Sequence, residues 1–125
     1  MVYLIDTNVI IRFLVGDHPE HLSIATEIFK NIEQGTYEVE ILESVMMEVL
    51  FVLTKFYKLP KKEVIEDLKK IIALRGVVGD KVLLIETLNI VESKNIDFVD
   101  ALICAKSHLQ GYGKLSFDKD VNRKC

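Results

Sequence analysis

Tryptophan is absent, and the chain has only two cysteines, two prolines and three histidines. Cys104 lies in an apolar stretch and Cys125 is the last residue. The pair has no metal-ligand spacing and makes no disulfide framework, so a reducing cytoplasm is the simplest expected home. His18 and His21 flank Pro19, and His108 sits late on a predicted helix, which leaves no zinc set. No apolar run reaches the roughly 18 residues a membrane span needs, so no membrane association is expected. The opening MVYLID has no basic region, apolar stretch and cleavage site in series, and no secretory signal is expected. There is no glycine-rich phosphate loop and no Ser or Cys with an evident His partner. Repeats, low-complexity segments and linkers are also missing.

What is present is an ordinary globular composition. Residues 1–125 make one domain's worth of chain, half of it apolar, which suffices for one core. The net charge of −3 speaks mildly against a polyanionic partner. A hard cation held by several carboxylates would cancel much of that charge locally.

The pattern alternates strands and helices. Val2–Asp6 reads as a first strand, and Val9–Val15 continues at helical spacing to Gly16. Glu20–Glu33 is amphipathic, with Leu22, Ala25, Ile28, Phe29 and Ile32 on one face, and Gly35 ends it. Glu38–Leu42 alternates as a second strand. Ser44 can cap a helix to about Tyr57, and Pro60 opens another to about Leu74. Val64, Ile65, Leu68, Ile71 and Ile72 face inward on that helix. Gly76–Gly79 is a turn or short strand, and Asp80 caps a helix to about Lys94. Asp97 caps a helix through Gln110, stopped by Gly111. Lys114–Phe117 reads as a last strand. Strands separated by helices predict a parallel sheet covered on both faces, with ligands at the carboxyl ends of the strands. Asp6 and Asp118 fall at such ends.

Four acids sit where a charge is costly. Glu48 interrupts Val45-Met46-Met47 and Val49-Leu50-Phe51-Val52-Leu53, a helix apolar nearly all round and therefore expected to be buried. That burial should raise its pKa. Asp100 sits inside IDFVDALICA, Asp6 between YLI and TNVII, and Asp118 after Leu115-Ser116-Phe117. Each has a plain alternative. Asp6 can equally be a helix N-cap, Asp118 a turn residue, Asp100 a support for the Asp97 cap, and Glu48 half of a buried ion pair. As a set, carboxylates converging on one crevice are held together by a divalent cation, and all-oxygen ligation suits Mg²⁺ or Mn²⁺. Such a centre activates water for phosphodiester hydrolysis.

The four acidic stretches, IDTNVIIRFL, SVMMEVLFVL, IDFVDALICA and KLSFDKD, together resemble the PIN-domain nucleases, and within them the toxins of VapBC-type toxin–antitoxin modules. The resemblance covers essentially the whole chain. It implies a three-layer α/β/α fold with a mostly parallel sheet and Mg²⁺- or Mn²⁺-dependent cleavage of RNA. It also implies a homodimer and inhibition by a small antitoxin protein whose tail reaches the acidic pocket. Asp6, Glu48, Asp100 and Asp118 match the family acids as catalytic and metal-binding residues, with Glu48 either a ligand or the base for the attacking water. Thr7, Asn8 and Ser116 match supporting positions. Asn8 and Ser116 are expected to orient carboxylates or water, and helix-start chemistry is an equal reading of Thr7-Asn8. Asp97 is a cap close enough to Asp100 to join the site, and Asp120 reads as a solvated loop residue. Arg12, Lys106, Lys119 and Arg123 are candidate phosphate contacts.

Three rivals frame that reading. A phosphoacceptor receiver domain would want an adjacent acidic pair after its first strand, where this chain has Asp6 alone. A catalytically silent PIN-like scaffold would need no acids, and all four are present. An RNA-processing nuclease without an antitoxin would keep the same site.

Overall fold

The computed structural model describes all residues, 1–125. They form two compact units, Met1–Gly79 and Asp80–Cys125.

The first unit is built on a parallel three-stranded sheet. Strand β1 (Val2–Leu4) pairs with β2 (Glu38–Glu40), and β2 with β3 (Val77–Val78). The register sets Tyr3 opposite Val39 and Val39 opposite Val77. Parallel strands need long crossovers. Helices α1 (Thr7–Val15) and α2 (Pro19–Gln34) supply the first. Helices α3 (Glu43–Phe51) and α4 (Lys61–Ile72) supply the second. The α/β class and the parallel sheet are as the sequence predicts.

Helix ends follow local chemistry. Gly16 and Gly35 take left-handed conformations at the ends of α1 and α2. The predicted inward face of α4, from Val64 to Ile72, is buried residue for residue. On α2 the predicted face holds in part: Ala25, Phe29 and Ile32 are buried, Leu22 and Ile28 half-buried. The Phe29 ring stacks on Phe13 of α1 at 4.2 Å between centroids. At Gly76 the end of α2 meets the start of β3. Its N–H donates to the Ile32 carbonyl at 2.8 Å, and a Cβ there would collide with the carbonyls of Tyr37 and Ile32.

The third helix departs from expectation. Ser44 is not its cap: Leu42 stands at that position with no side-chain capping bond, and the helix starts at Glu43. Past Phe51 the helix widens into a π-helical stretch, Val52–Phe56, with the Tyr57 N–H donating to the Val52 carbonyl five residues back. Here the Thr54 hydroxyl donates to the Leu50 carbonyl at 2.7 Å, competing for an acceptor of the helix ladder.

The second unit is helical. Helix α5 (Lys81–Lys94) opens on Asp80, whose carboxylate accepts the Leu83 N–H at 3.0 Å. It ends on Asn95 at φ 53. Helix α6 (Phe98–Gln110) packs against α5. Leu84, Leu88 and Val91 are buried on the former helix, Ala101 and Ala105 on the latter. A short helix, α7 (Lys119–Lys124), packs on α6 and buries Val121. The predicted strand Lys114–Phe117 is not formed; the segment joins no sheet, and the Leu115 and Phe117 side chains are fully exposed. A short segment does not make a strand without a partner ladder. The structure also pairs the two cysteines, with Cys104 of α6 and Cys125 joined as a disulfide. This corrects the expectation that the two cysteines take no part in a disulfide. No helix is long and apolar enough to cross a membrane.

Candidate metal centre

Three carboxylates of the second unit converge. One oxygen each from Asp100, Asp118 and Asp120 lie within 4.8 Å of one another. Asp100 sits in the first turn of α6, half-buried, on the same helix as the buried Ala101 and Cys104. Asp118 is the N-cap of α7, and its Oδ1 accepts the Asp120 N–H at 2.7 Å. The Asp118 N–H donates in turn to Ser116 Oγ at 2.9 Å, and the Asn122 side chain donates to the Ser116 carbonyl at 2.9 Å. Ser116 therefore shapes the turn that presents the acids, acting on backbone rather than on carboxylate oxygen.

The electrostatics are those of crowded like charges. Burial pushes the Asp100 carboxyl above its ordinary value, and the charges of Asp118, Asp97 and Asp120 push it in the same direction. A hydrogen bond with the Asp118 side chain adds to the rise, favouring a proton on Asp100. Two such charges 4 Å apart repel by about 1 kcal/mol in bulk water and about 4 kcal/mol at an effective dielectric of 20; partial exposure holds these near the lower figure. A divalent cation would remove the repulsion, and three carboxylate oxygens at this spacing are a donor set suited to a hard cation. The residues present therefore fit Mg²⁺ or Mn²⁺.

Two sequence readings change here. Asp120, read as a solvated loop residue, lies in the first turn of α7 and belongs to the cluster. The signal available was its spacing of two from Asp118, which a helix start folds into one turn. Asp97 stands at the N-cap position of α6 but makes no side-chain capping bond. Its charge instead acts on Asp100.

The first unit carries the other two predicted acids. Asp6 is the N-cap of α1, accepting the Thr7 N–H at 2.8 Å, so the capping reading holds for its geometry. Thr7, the first residue of the helix, is buried, and Asn8 is exposed. Asn8 and Arg12 help line a cavity of about 190 Å³ along α1 and α2. Arg12 pairs with Asp17 at 3.6 Å. Glu48 is exposed, contrary to the expectation of burial. Helix α3 is apolar all round but not enclosed all round, for Met47 and Phe51 beside it are exposed as well. Of the candidate phosphate contacts in the second unit, Lys119 and Arg123 lie on α7, and Lys106 on α6, all exposed.

The family model described as PIN domain matches residues 3–125, across both units, and the chain belongs to the PIN domain family. PIN domains are generally nucleases and typically use divalent metals. No curated protein and no solved structure matches the chain.

Proposed function

We propose that the protein is a Mg²⁺- or Mn²⁺-dependent endoribonuclease, and that it serves as the toxin of a toxin–antitoxin pair. The observation that carries the nuclease reading is the Asp100–Asp118–Asp120 cluster within a chain of the PIN family. A bound divalent cation would supply a polarised water as nucleophile and would neutralise charge on the scissile phosphate. Asp100, Asp118 and Asp120 would hold it. Ser116 keeps the α7 turn in place, and Lys119 and Arg123, on the helix that Asp118 caps and that carries Asp120, suit contacts to flanking phosphates. Asp6 and Glu48 of the first unit keep proposed roles through their match to the family motifs, with Asn8 in support. The toxin role, the homodimer and the antitoxin rest on the likeness of the four acidic stretches to VapBC toxins.

Incubation of purified protein with a mixed RNA substrate tests the reading. Cleavage is expected with Mn²⁺, abolished by EDTA and by Asp100→Asn or Asp118→Asn. Full activity in EDTA or in both variants would overturn it. Sequencing the RNA ends after induction, with and without the protein of a neighbouring small reading frame, tests substrate and toxin role together. Neutralisation on co-expression favours a toxin, and its absence a nuclease with no antitoxin.

A further inference from the structure

The two cysteines join the same two elements that carry the three acids. Cys104 lies on α6 four residues, one helical turn, beyond Asp100. Cys125 directly follows α7, which Asp118 caps and on which Asp120 sits. Their Cα atoms are 5.3 Å apart, within the span a disulfide bridges without backbone movement.

Beyond the Asp100–Asp118 side-chain hydrogen bond, little else fixes α7 on α6. A helix of six residues does not hold itself together in water. Val121 is its one buried side chain. The Lys124–Asp120 ion pair is internal to the helix, and the Asn122 bond to Ser116 ties it only to its own leading turn. That leading segment, with Leu115 and Phe117 at 103% and 107% exposure, adds no apolar anchor. When all three carboxylates are ionised, their mutual repulsion pushes α7 away from α6. The cross-link opposes it.

We infer that Cys104 and Cys125 form a reversible thiol–disulfide clamp that holds α7 against α6 and thereby sets the affinity of the acid cluster for a divalent cation. The inference rests on the metal-dependent reading above. The oxidant is a low-molecular-weight disulfide such as oxidised glutathione. The exposed Cys125 thiolate attacks one of its sulfurs, breaking the glutathione S–S bond and releasing one glutathione thiolate. The Cys104 thiolate then attacks the Cys125 sulfur of the mixed disulfide and releases the second. The protein loses two electrons and the oxidant gains them; the two thiol protons end on two glutathione molecules. A dithiol reductant reverses the exchange. In a reducing compartment the dithiol form prevails, and oxidation closes the clamp.

The test uses the full chain, equilibrated with oxidised glutathione or with dithiothreitol. Thiols are counted after denaturation, and Mn²⁺ affinity is measured by calorimetry. The oxidised sample should show no free thiols and the reduced sample two, with Mn²⁺ bound at least five-fold more tightly by the oxidised form. Cys125→Ser should bind Mn²⁺ like the reduced protein under both conditions. Cys125 is exposed, so this variant spares the interior, whereas Cys104 is buried. Two free thiols after oxidation would overturn the clamp. So would equal Mn²⁺ affinity in both forms, while leaving the metal-dependent reading intact. No Mn²⁺ binding in either form would overturn that reading and the clamp's proposed role with it.

Discussion

The Asp118 carboxylate accepts the backbone N–H of Asp120 at 2.7 Å, so the residue that caps α7 also fixes where the next acid begins. Capping and the proposed ligation would draw on the same side chain. A cation that takes one Asp118 oxygen leaves the other for the cap.

Ser116 stands one step behind that pair, accepting the Asp118 N–H. Ser116→Ala removes this acceptor from an exposed turn, where the loss is expected to be at most about 1 kcal/mol. Mn²⁺ affinity should fall by up to about five-fold with no change in helix content, read by calorimetry and circular dichroism. An unchanged affinity would remove Ser116 from the positioning role.

The raised Asp100 pKa gives the cluster a direction with pH. In the metal-free protein Asp100 binds its proton more tightly folded than unfolded. Stability therefore falls as pH rises from the unfolded value of 3.8 through the raised folded value, and stays lower above it. Asp100→Asn should accordingly raise the Tm of the metal-free protein at pH 7 and leave it little changed below pH 3. Saturating Mn²⁺ should raise the Tm of the parent at pH 7 and not that of the variant. Thermal melts across pH, with EDTA or Mn²⁺, check both signs.

Asp6 has a structural job that can be separated from a chemical one. Asparagine caps helices about as well as aspartate, so Asp6→Asn should retain the stability of α1. Asp6→Ala should lose about 1 kcal/mol. If Asp6 belongs to the site, both variants lose Mn²⁺-dependent RNA cleavage. If it is a cap alone, Asp6→Asn cleaves RNA normally.

At Gly76 the constraint is steric. Gly76→Ala drives a methyl group into the carbonyls of Tyr37 and Ile32, which are backbone and cannot swing aside. A loss of about 1–3 kcal/mol is expected, as for overpacking elsewhere. Urea denaturation followed by circular dichroism measures it.

The parts of this molecule legible in the sequence are those where local chemistry and burial agree. Helix α4 shows its buried face through regular spacing, and Asp80, Gly16 and Gly35 mark ends that the structure keeps. Helix α3 misled because its nearly continuous apolar run implied burial on every side, and Glu48 was placed in the interior, whereas Met47, Glu48 and Phe51 are exposed. Lys114–Phe117 misled because a short segment read as a strand says nothing of a partner strand. Within the acid cluster, Asp100 was legible as an acid inside an apolar stretch, and Asp118 through its match to the family motif, since it is exposed and ends no strand. Asp120 was not, since its membership depends on a helix starting at Lys119 that six polar-rich residues do not announce. The cysteine pair was hidden for a similar reason: its sequence separation of 21 is closed only by the way α7 folds back.

The π-helical stretch after α3 has a consequence for insertions and deletions. Such a turn holds one residue more than an α-turn. Losing a single residue between Val52 and Phe56 would convert the stretch to ordinary helix and leave the lead into α4 in phase. The same loss within Glu43–Phe51 would turn every later side chain of the helix by about 100° and swing Leu53 out of the interior. Chain length on this helix can thus vary at no great cost in one place only, just downstream of Glu48.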